Sequence, residues 1–306
     1  MPSALSAPHF HGEEAAYAYI EARLWPNGPV CPHCGGMDRI SKMMGKSTRV
    51  GAHKCYQCRK PFTVKIGTIF EDSKVAMHIW LQAMYLIAGS KKGISSNQLH
   101  RVLGVTLKTA WFMSHRIREA MQSNETWPMG GLGGVVEADE TFIGRKVGID
   151  KPKQGAWHKM KVLALVERGG RSRAMVIDTL GVPEIQPILL ANIHPLSKLR
   201  TDEAGHYKSI GRFFYQHSTV HHRSGEYVRG DAHTNTIEGY FSIFKRGMRG
   251  IYQHCAEKHL HRYVAEFNFR YSNRVALGYN DADRADALLK GVIGKRLTYQ
   301  TTGARA

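Results

Sequence analysis

The sequence predicts a mixed α/β chain in which a small metal-stapled ribbon and a helical region precede a sheet-based domain. Three observations carry that expectation. Two Cys-x-x-Cys pairs, Cys31 with Cys34 and Cys55 with Cys58, lie near the N-terminus. Between residues 70 and 121 apolar side chains recur at the three- and four-residue steps of helices. Beyond a run of glycines, residues 135–143, 161–167 and 173–179 alternate as strands do, and helix-like and strand-like stretches then follow in turn.

Composition narrows the partners. The 306 residues hold 43 Lys+Arg against 25 Asp+Glu, a formal charge of +18, which favours a polyanionic partner, nucleic acid above all. No membrane span is expected, because the most apolar run, Met77 to Ala88, is broken by His78 and Gln82. The N-terminus lacks a basic start followed by an apolar core, so export is not expected either. Four of the five cysteines fall in the two pairs, which fits a reducing compartment and a metal better than disulfides.

Residues 11 to 29 predict a short amphipathic helix (Ala15, Tyr19, Ile20, Leu24) stopped at Trp25-Pro-Asn-Gly-Pro29. The cysteine pairs follow, with twenty residues between them. That spacing suits tetrahedral zinc held by Cys31, Cys34, Cys55 and Cys58, with Gly35-Gly36 and Arg59-Lys60 reversing the chain after each pair. Four protein ligands leave no open position, so this zinc is structural. Cys255 is left as a buried or half-buried thiol. The ribbon and its helix fill residues 11–69.

Residues 70–126 read as three helices, Val75–Ala88, Ser95–Leu103 and Thr106–Met121. The join Leu103-Gly-Val-Thr106 has the glycine and cap of a helix-turn-helix. The third helix is expected to turn Lys108, Thr109, His115, Arg116 and Arg118 outwards and Trp111, Phe112 and Ile117 inwards. Plain three-helix packing with a solvated basic face fits that pattern too; the net charge favours DNA contact, mainly through phosphates.

Trp127-Pro128 and the glycines 130, 131, 133 and 134 mark a boundary, and residues 130–280 form the sheet domain. Arg168-Gly-Gly170 turns the second strand into the third. Pro183–Asn192 reads as a helix, Lys198–Thr201 as a short strand, Gly205–Gly211 as a helix and Gln216–Val220 as a strand. Two amphipathic helices follow, within Asp231–Arg246 and over Lys258–Tyr271. Residues 281–306 read as a C-terminal tail whose polar end, Thr301 to Ala306, frays.

Within Asp231–Arg246, apolar Ile237, Tyr240, Phe241, Ile243 and Phe244 mark one helix face. Glu238, Ser242, Lys245 and Arg249 fall on a neighbouring stripe, one carboxylate with cations below it; Arg246 adds another cation. Glu238 can be a metal ligand, or it can reach back to a capping Asn235. Carboxylates elsewhere decide between these. Glu137 and Asp139 share one face of the first strand, and Asp202 ends the short strand Lys198–Thr201, where α/β sheets place ligands. Meander, helix, strand with a terminal Asp, then a helix bearing Glu is the element order of an RNase H-like sheet, which gathers three such carboxylates. A histidine-zinc site built from His206, His217, His221, His222 and His233 is not expected, since the four-residue step between His217 and His221 falls in strand-like sequence. His233 remains a candidate for phosphate or water contact.

Several motifs in the same order resemble the IS1595 (ISXO2-like) group of insertion-sequence transposases, in the DDE superfamily. They are the four-cysteine ribbon with Arg59-Lys-Pro-Phe-Thr-Val, Glu137-Ala-Asp-Glu-Thr-Phe-Ile-Gly144, Arg200-Thr-Asp-Glu, His233 to Gly247, and Lys258-His-Leu-His-Arg-Tyr with Glu266-Phe-Asn-Phe-Arg-Tyr271. Phe241 stands where relatives often carry Trp. The resemblance implies Asp139, Asp202 and Glu238 as a catalytic triad on two Mg2+ (or Mn2+) ions, with Lys245 as the basic residue seven positions after the Glu. Some relatives use Asn at the third position, which keeps Asn235 as a supporting residue. It further implies binding to the terminal inverted repeats of the element and to target DNA, cleavage and strand transfer by a dimer or larger assembly, and a cytoplasmic, nucleoid-associated setting in a bacterial cell. Arg246 and Arg249 are expected to touch DNA with Lys108, Thr109, His115, Arg116 and Arg118. A DNA-binding regulator with an inactive domain, and an RNase H-like nuclease without strand transfer, are the alternatives.

Overall fold

The structure, a computed structural model, describes residues 3–123, 125–152, 154–221, 225–226 and 228–298. His222 and the polar end Thr301 to Ala306 lie outside the described residues. The chain divides into two compact units: Met1–Ser90 with Ile94–Gln122 and Asn280–Ala306, and Lys91–Gly93 with Ser123–Tyr279.

In the first unit, helix α1 (Glu13–Leu24) buries Ala16, Tyr17 and Ile20. The ribbon is an antiparallel sheet of β1 (Ile40–Lys42), β2 (His53–Cys55) and β3 (Pro61–Phe62). Its core is little more than Cys31, Cys55 and Phe62, with Trp25 and Ile40 against them. Helix α2 (Met77–Gly89) buries Trp80, Met84 and Ile87 and packs on α1. Glu13 joins the two, accepting the Met77 N–H at 2.7 Å. Helices α3 (Ser96–Leu103) and α4 (Leu107–Ala120) make the expected helix-turn-helix. Ser95 caps α3, Gly104 takes the left-handed φ of 65° that ends it, and Thr106 caps α4.

The second unit is built on β4 (Val135–Ile143), β5 (Met160–Glu167), β6 (Ser172–Ile177), α5 (Val182–Asn192), β7 (Lys198–Thr201), α6 (Gly205–Ile210), β8 (Gln216–Thr219), the short hairpin β9 (Val228–Arg229) and β10 (Ala232–His233), α7 (Asn235–Gly247) and α8 (Leu260–Ser272). The sheet order is β6-β5-β4-β7-β8. β4, β5 and β6 form an antiparallel meander, while β7 pairs parallel with β4 and β8 parallel with β7. This is the RNase H-like arrangement. Strand alternation divides the core. Val162, Ala164 and Val166 meet Ile237, Tyr240, Phe244 and Phe267 on the α7 and α8 side. Leu163 and Leu165 meet Ile185, Leu189 and Tyr207 on the α5 and α6 side. The glycines expected as a linker belong to this unit, whose main segment runs from Ser123 to Tyr279; Met129 bridges to Ile193 and Gly134 lies against the Gly130 backbone.

The tail expected over 281–306 instead opens with helix α9 (Asp281–Lys290), which packs on α2 and α1 in the first unit. Asn280 and Asp283 form a capping box, and Leu288 and Leu289 are buried. Asp286 accepts from Tyr19 Oη at 2.5 Å and Arg23 Nε at 2.6 Å. Among the described residues, no helix is long and apolar enough to cross a membrane.

Candidate active site and metal centre

The parallel register of β4 and β7 pairs Val135 with Lys198, Val136 with Leu199 and Glu137 with Arg200. Two residues further along both chains, that register sets Asp139 beside Asp202. Asp139 Oδ1 accepts the Glu140 N–H at 2.7 Å, and Asp202 Oδ1 accepts the Ala204 N–H at 2.9 Å. Burial, then the charges of Glu140 and Asp202, push the Asp139 carboxyl up to about 8; the Glu140 N–H and Lys245 oppose the shift. Asp202 is also raised, by burial and then by Glu140 and Glu203, against the Ala204 N–H and His206. Adjacent carboxyls that resist joint ionisation are a donor set suited to a hard divalent cation.

Helix α7 supplies the other predicted groups. Lys245 is half-buried, its Nζ 5.7 Å from the centre of the Phe241 ring, and its charge favours ionised Asp139. Glu238 is exposed on the first turn, and its Oε1 accepts the Thr234 hydroxyl at 3.0 Å. Among the described residues, no three carboxylates or histidines bring one ligand atom each within 4.8 Å of one another. The strand register and their mutual charge effect bring Asp139 and Asp202 together, and Glu238 does not complete such a close three-ligand cluster with them. The capping expectation changes as well. Asn235 is the first helical residue, Thr234 holds the cap position without a side-chain cap bond, and the Ile237 N–H goes to Glu137 at 2.9 Å.

Two further groups stand beside the site without a role that the sequence pattern assigns them. Glu140, on the opposite strand face from Asp139, accepts the Tyr207 hydroxyl and His206 Nε2, the latter at 2.9 Å. His206 thus stands next to the acids. Only the short α6, read as helix-like without a role, carried a hint of it. His217 is tied to Thr201 Oγ1 at 2.9 Å. His233 stands 3.4 Å from Glu137 Oε1, so its partner is a buried carboxylate.

The four cysteines converge. Their Sγ atoms all lie within 4.8 Å of one another, with Cys31 to Cys58 at 3.6 Å and Cys34 to Cys55 at 3.7 Å. Sulfurs of a zinc tetrahedron with bonds of ~2.3 Å stand ~3.8 Å apart, so the set fits zinc. The reversals after each pair take left-handed backbone, φ 74° at Gly35 and 60° at Arg59.

Helix α4 corrects the predicted DNA face. Lys108 is exposed and Thr109 half-buried, but His115, Arg116 and Arg118 are buried and Trp111 is exposed. Polar partners inside the fold hold the two arginines: carbonyl groups take Arg116 and a serine hydroxyl takes Arg118. Arg116 Nη1 donates to Ile69 O at 2.8 Å and Glu71 O at 2.7 Å, and its Nε to Leu297 O at 3.0 Å; Arg118 Nη1 donates to Ser114 Oγ at 2.9 Å. Arg246 is exposed and donates to Ser242 Oγ at 2.7 Å. Arg249, also exposed, lines a cavity of about 300 Å³ with Lys159 and Gln253.

Residues 11–61 match the transposase zinc-ribbon domain, and residues 131–272 match the ISXO2-like transposase domain. A protein of Halobacterium salinarum described as an uncharacterized protein in transposable element ISH50 is 27% identical over 282 residues, covering 85% of this chain and 91% of its own. Among solved structures, a pre-cleavage Mos1 transpososome is matched at 13% identity over 65% of this chain and 77% of that one. The TM-score of that match is 0.19.

Proposed function

We propose that this chain, which belongs to the ISXO2-like (IS1595) group of transposases, binds the terminal inverted repeats of its element, cuts the DNA and joins the ends to target DNA through Asp139, Asp202 and Glu238. The observation that carries this reading is the neighbouring pair Asp139 and Asp202, both raised by burial and by nearby acids, with the Lys245 charge acting on Asp139.

Asp139 and Asp202 supply carboxylate oxygens from adjacent strands, and Glu238 supplies a third after leaving the Thr234 hydroxyl. Mg2+ or Mn2+ held by these carboxylates would supply the activation of the attacking oxygen and the stabilisation of the leaving oxygen. Lys245 acts as a point charge on a non-bridging or flanking phosphate. No covalent enzyme intermediate is needed, because water or a DNA 3′-hydroxyl is the nucleophile. Lys108, Thr109, Arg246 and Arg249 add backbone contacts, and the +18 charge makes binding fall steeply with salt. Joining two ends calls for two active centres held together, hence a dimer or larger assembly in the cytoplasm.

The test is a cleavage and joining assay with labelled element ends, a target duplex and Mg2+. Asp139→Asn protein should bind the ends as wild type does yet neither cut nor join. Wild-type activity in that variant would remove the site assignment; cutting without joining by wild type would make the chain a nuclease.

A further inference from the structure

Glu137 lies two residues before Asp139 on the same face of β4 and is fully buried. Both of its carboxylate oxygens are engaged. Oε2 accepts the Ile237 N–H, in the first turn of α7, at 2.9 Å. Oε1 accepts Arg168 Nε at 2.6 Å, with His233 Nδ1 3.4 Å away. Arg168 then donates to the carbonyls of Asp231 at 2.8 Å and His233 at 2.9 Å. The Asp231 side chain in turn accepts from buried Arg200 at 2.7 Å, and Arg200 is the residue of β7 registered against Glu137. One closed set of contacts therefore ties β4, β7, the turn after β5 and the β9–β10 hairpin to the start of α7.

The first turn of α7 needs this. Thr234 gives it no side-chain cap bond, and open N–H groups at a helix start favour a carboxylate. We infer that Glu137 is a positioning residue that sets α7 against β4, and with it the reach of Glu238 towards Asp139 and Asp202. Ile237 directly precedes Glu238, and Lys245 stands two turns further on the same helix. With its oxygens taken up by protein donors, Glu137 acts through the helix and not on the substrate. This inference rests on the proposed divalent-ion site and adds the device that assembles it.

Two measurements on the full chain test it. One is hydrogen exchange at the Ile237 amide without DNA or divalent ion. The other is the Mn2+ concentration giving half-maximal joining. Glu137→Ala should speed exchange at Ile237 at least tenfold and raise the half-saturating Mn2+ at least tenfold, with zinc content unchanged. Glu137→Gln, whose amide oxygen still accepts one N–H, should fall between Glu137→Ala and wild type. Asp139→Asn should stop joining while leaving Ile237 exchange as in wild type. If Glu137→Ala does not fold, Glu137→Gln and Arg168→Ala carry the comparison. Unchanged Ile237 exchange in these variants, or a lower melting temperature with unchanged half-saturating Mn2+, would overturn the inference. If wild type never joins DNA, the proposed function fails while the exchange comparison still decides whether Glu137 holds α7.

Discussion

Asp202 stands beside Asp139, two residues beyond the last registered pair of their strands, Glu137 with Arg200. The folded protein binds a proton at Asp139 more tightly than the unfolded chain does, since burial, Glu140 and Asp202 lift its carboxyl from 3.8 to about 8. Stability from this group is complete below about pH 4 and is lost as the pH rises through about 8. Zinc-loaded protein without magnesium should melt at progressively lower temperature across that window. Asp139→Asn should flatten the dependence, and saturating Mg2+ should restore wild type near pH 8 and leave the variant unmoved. A parallel decline in both proteins would contradict the assignment.

Arg116 and Lys108 separate bracing from binding. Arg116→Ala leaves the carbonyls of Ile69, Glu71 and Leu297 without their donor and should cost about 3 kcal/mol of stability. Lys108→Ala should leave the melting temperature in place and lower the slope of log affinity against log salt by about 1. Denaturant titration and binding at several salt concentrations read the two effects.

Removing Cys31 and Cys34 together as Cys→Ser should abolish metal retention. Wild type is expected to carry about one zinc per chain by elemental analysis. With so small a core around Cys55 and Phe62, the ribbon should unfold without metal, and affinity for element ends should drop. Unchanged zinc content would exclude the ribbon as the zinc site.

A chain ending at Tyr279 lacks α9 and the buried Leu288 and Leu289. Each buried leucine contributes about 1.5–3 kcal/mol, so the first unit should melt much earlier while the sheet unit keeps its own transition. Calorimetry of the truncated and full chains would show it.

The sheet unit was the legible part. Period-two alternation over 135–179 gave the meander, and Asp202 at the end of a short strand stood where parallel registration brings it to Asp139. Helix α4 was opaque because it is covered on several sides. Arg116 is buried on carbonyls from distant segments, one of them at Leu297, and Arg118 is buried with a hydrogen bond to Ser114 on its own helix, whereas periodicity alone reads charge as solvent exposure. The cap of α7 comes from Glu137, 100 residues before Ile237, so local capping rules pointed to Asn235 instead. α9 reads as tail in the sequence because its buried apolar contribution is brief, Leu288 and Leu289, and its partners α1 and α2 lie far away in the chain.

The most direct measurement is a crystal structure of the chain bound to an element-end duplex and Mn2+, with the ions located by anomalous scattering. Manganese is expected in contact with Asp139 and Asp202, with Glu238 turned from the Thr234 hydroxyl to join them. Manganese bound elsewhere, or Glu238 still on Thr234 in a complex competent to cut, would contradict it.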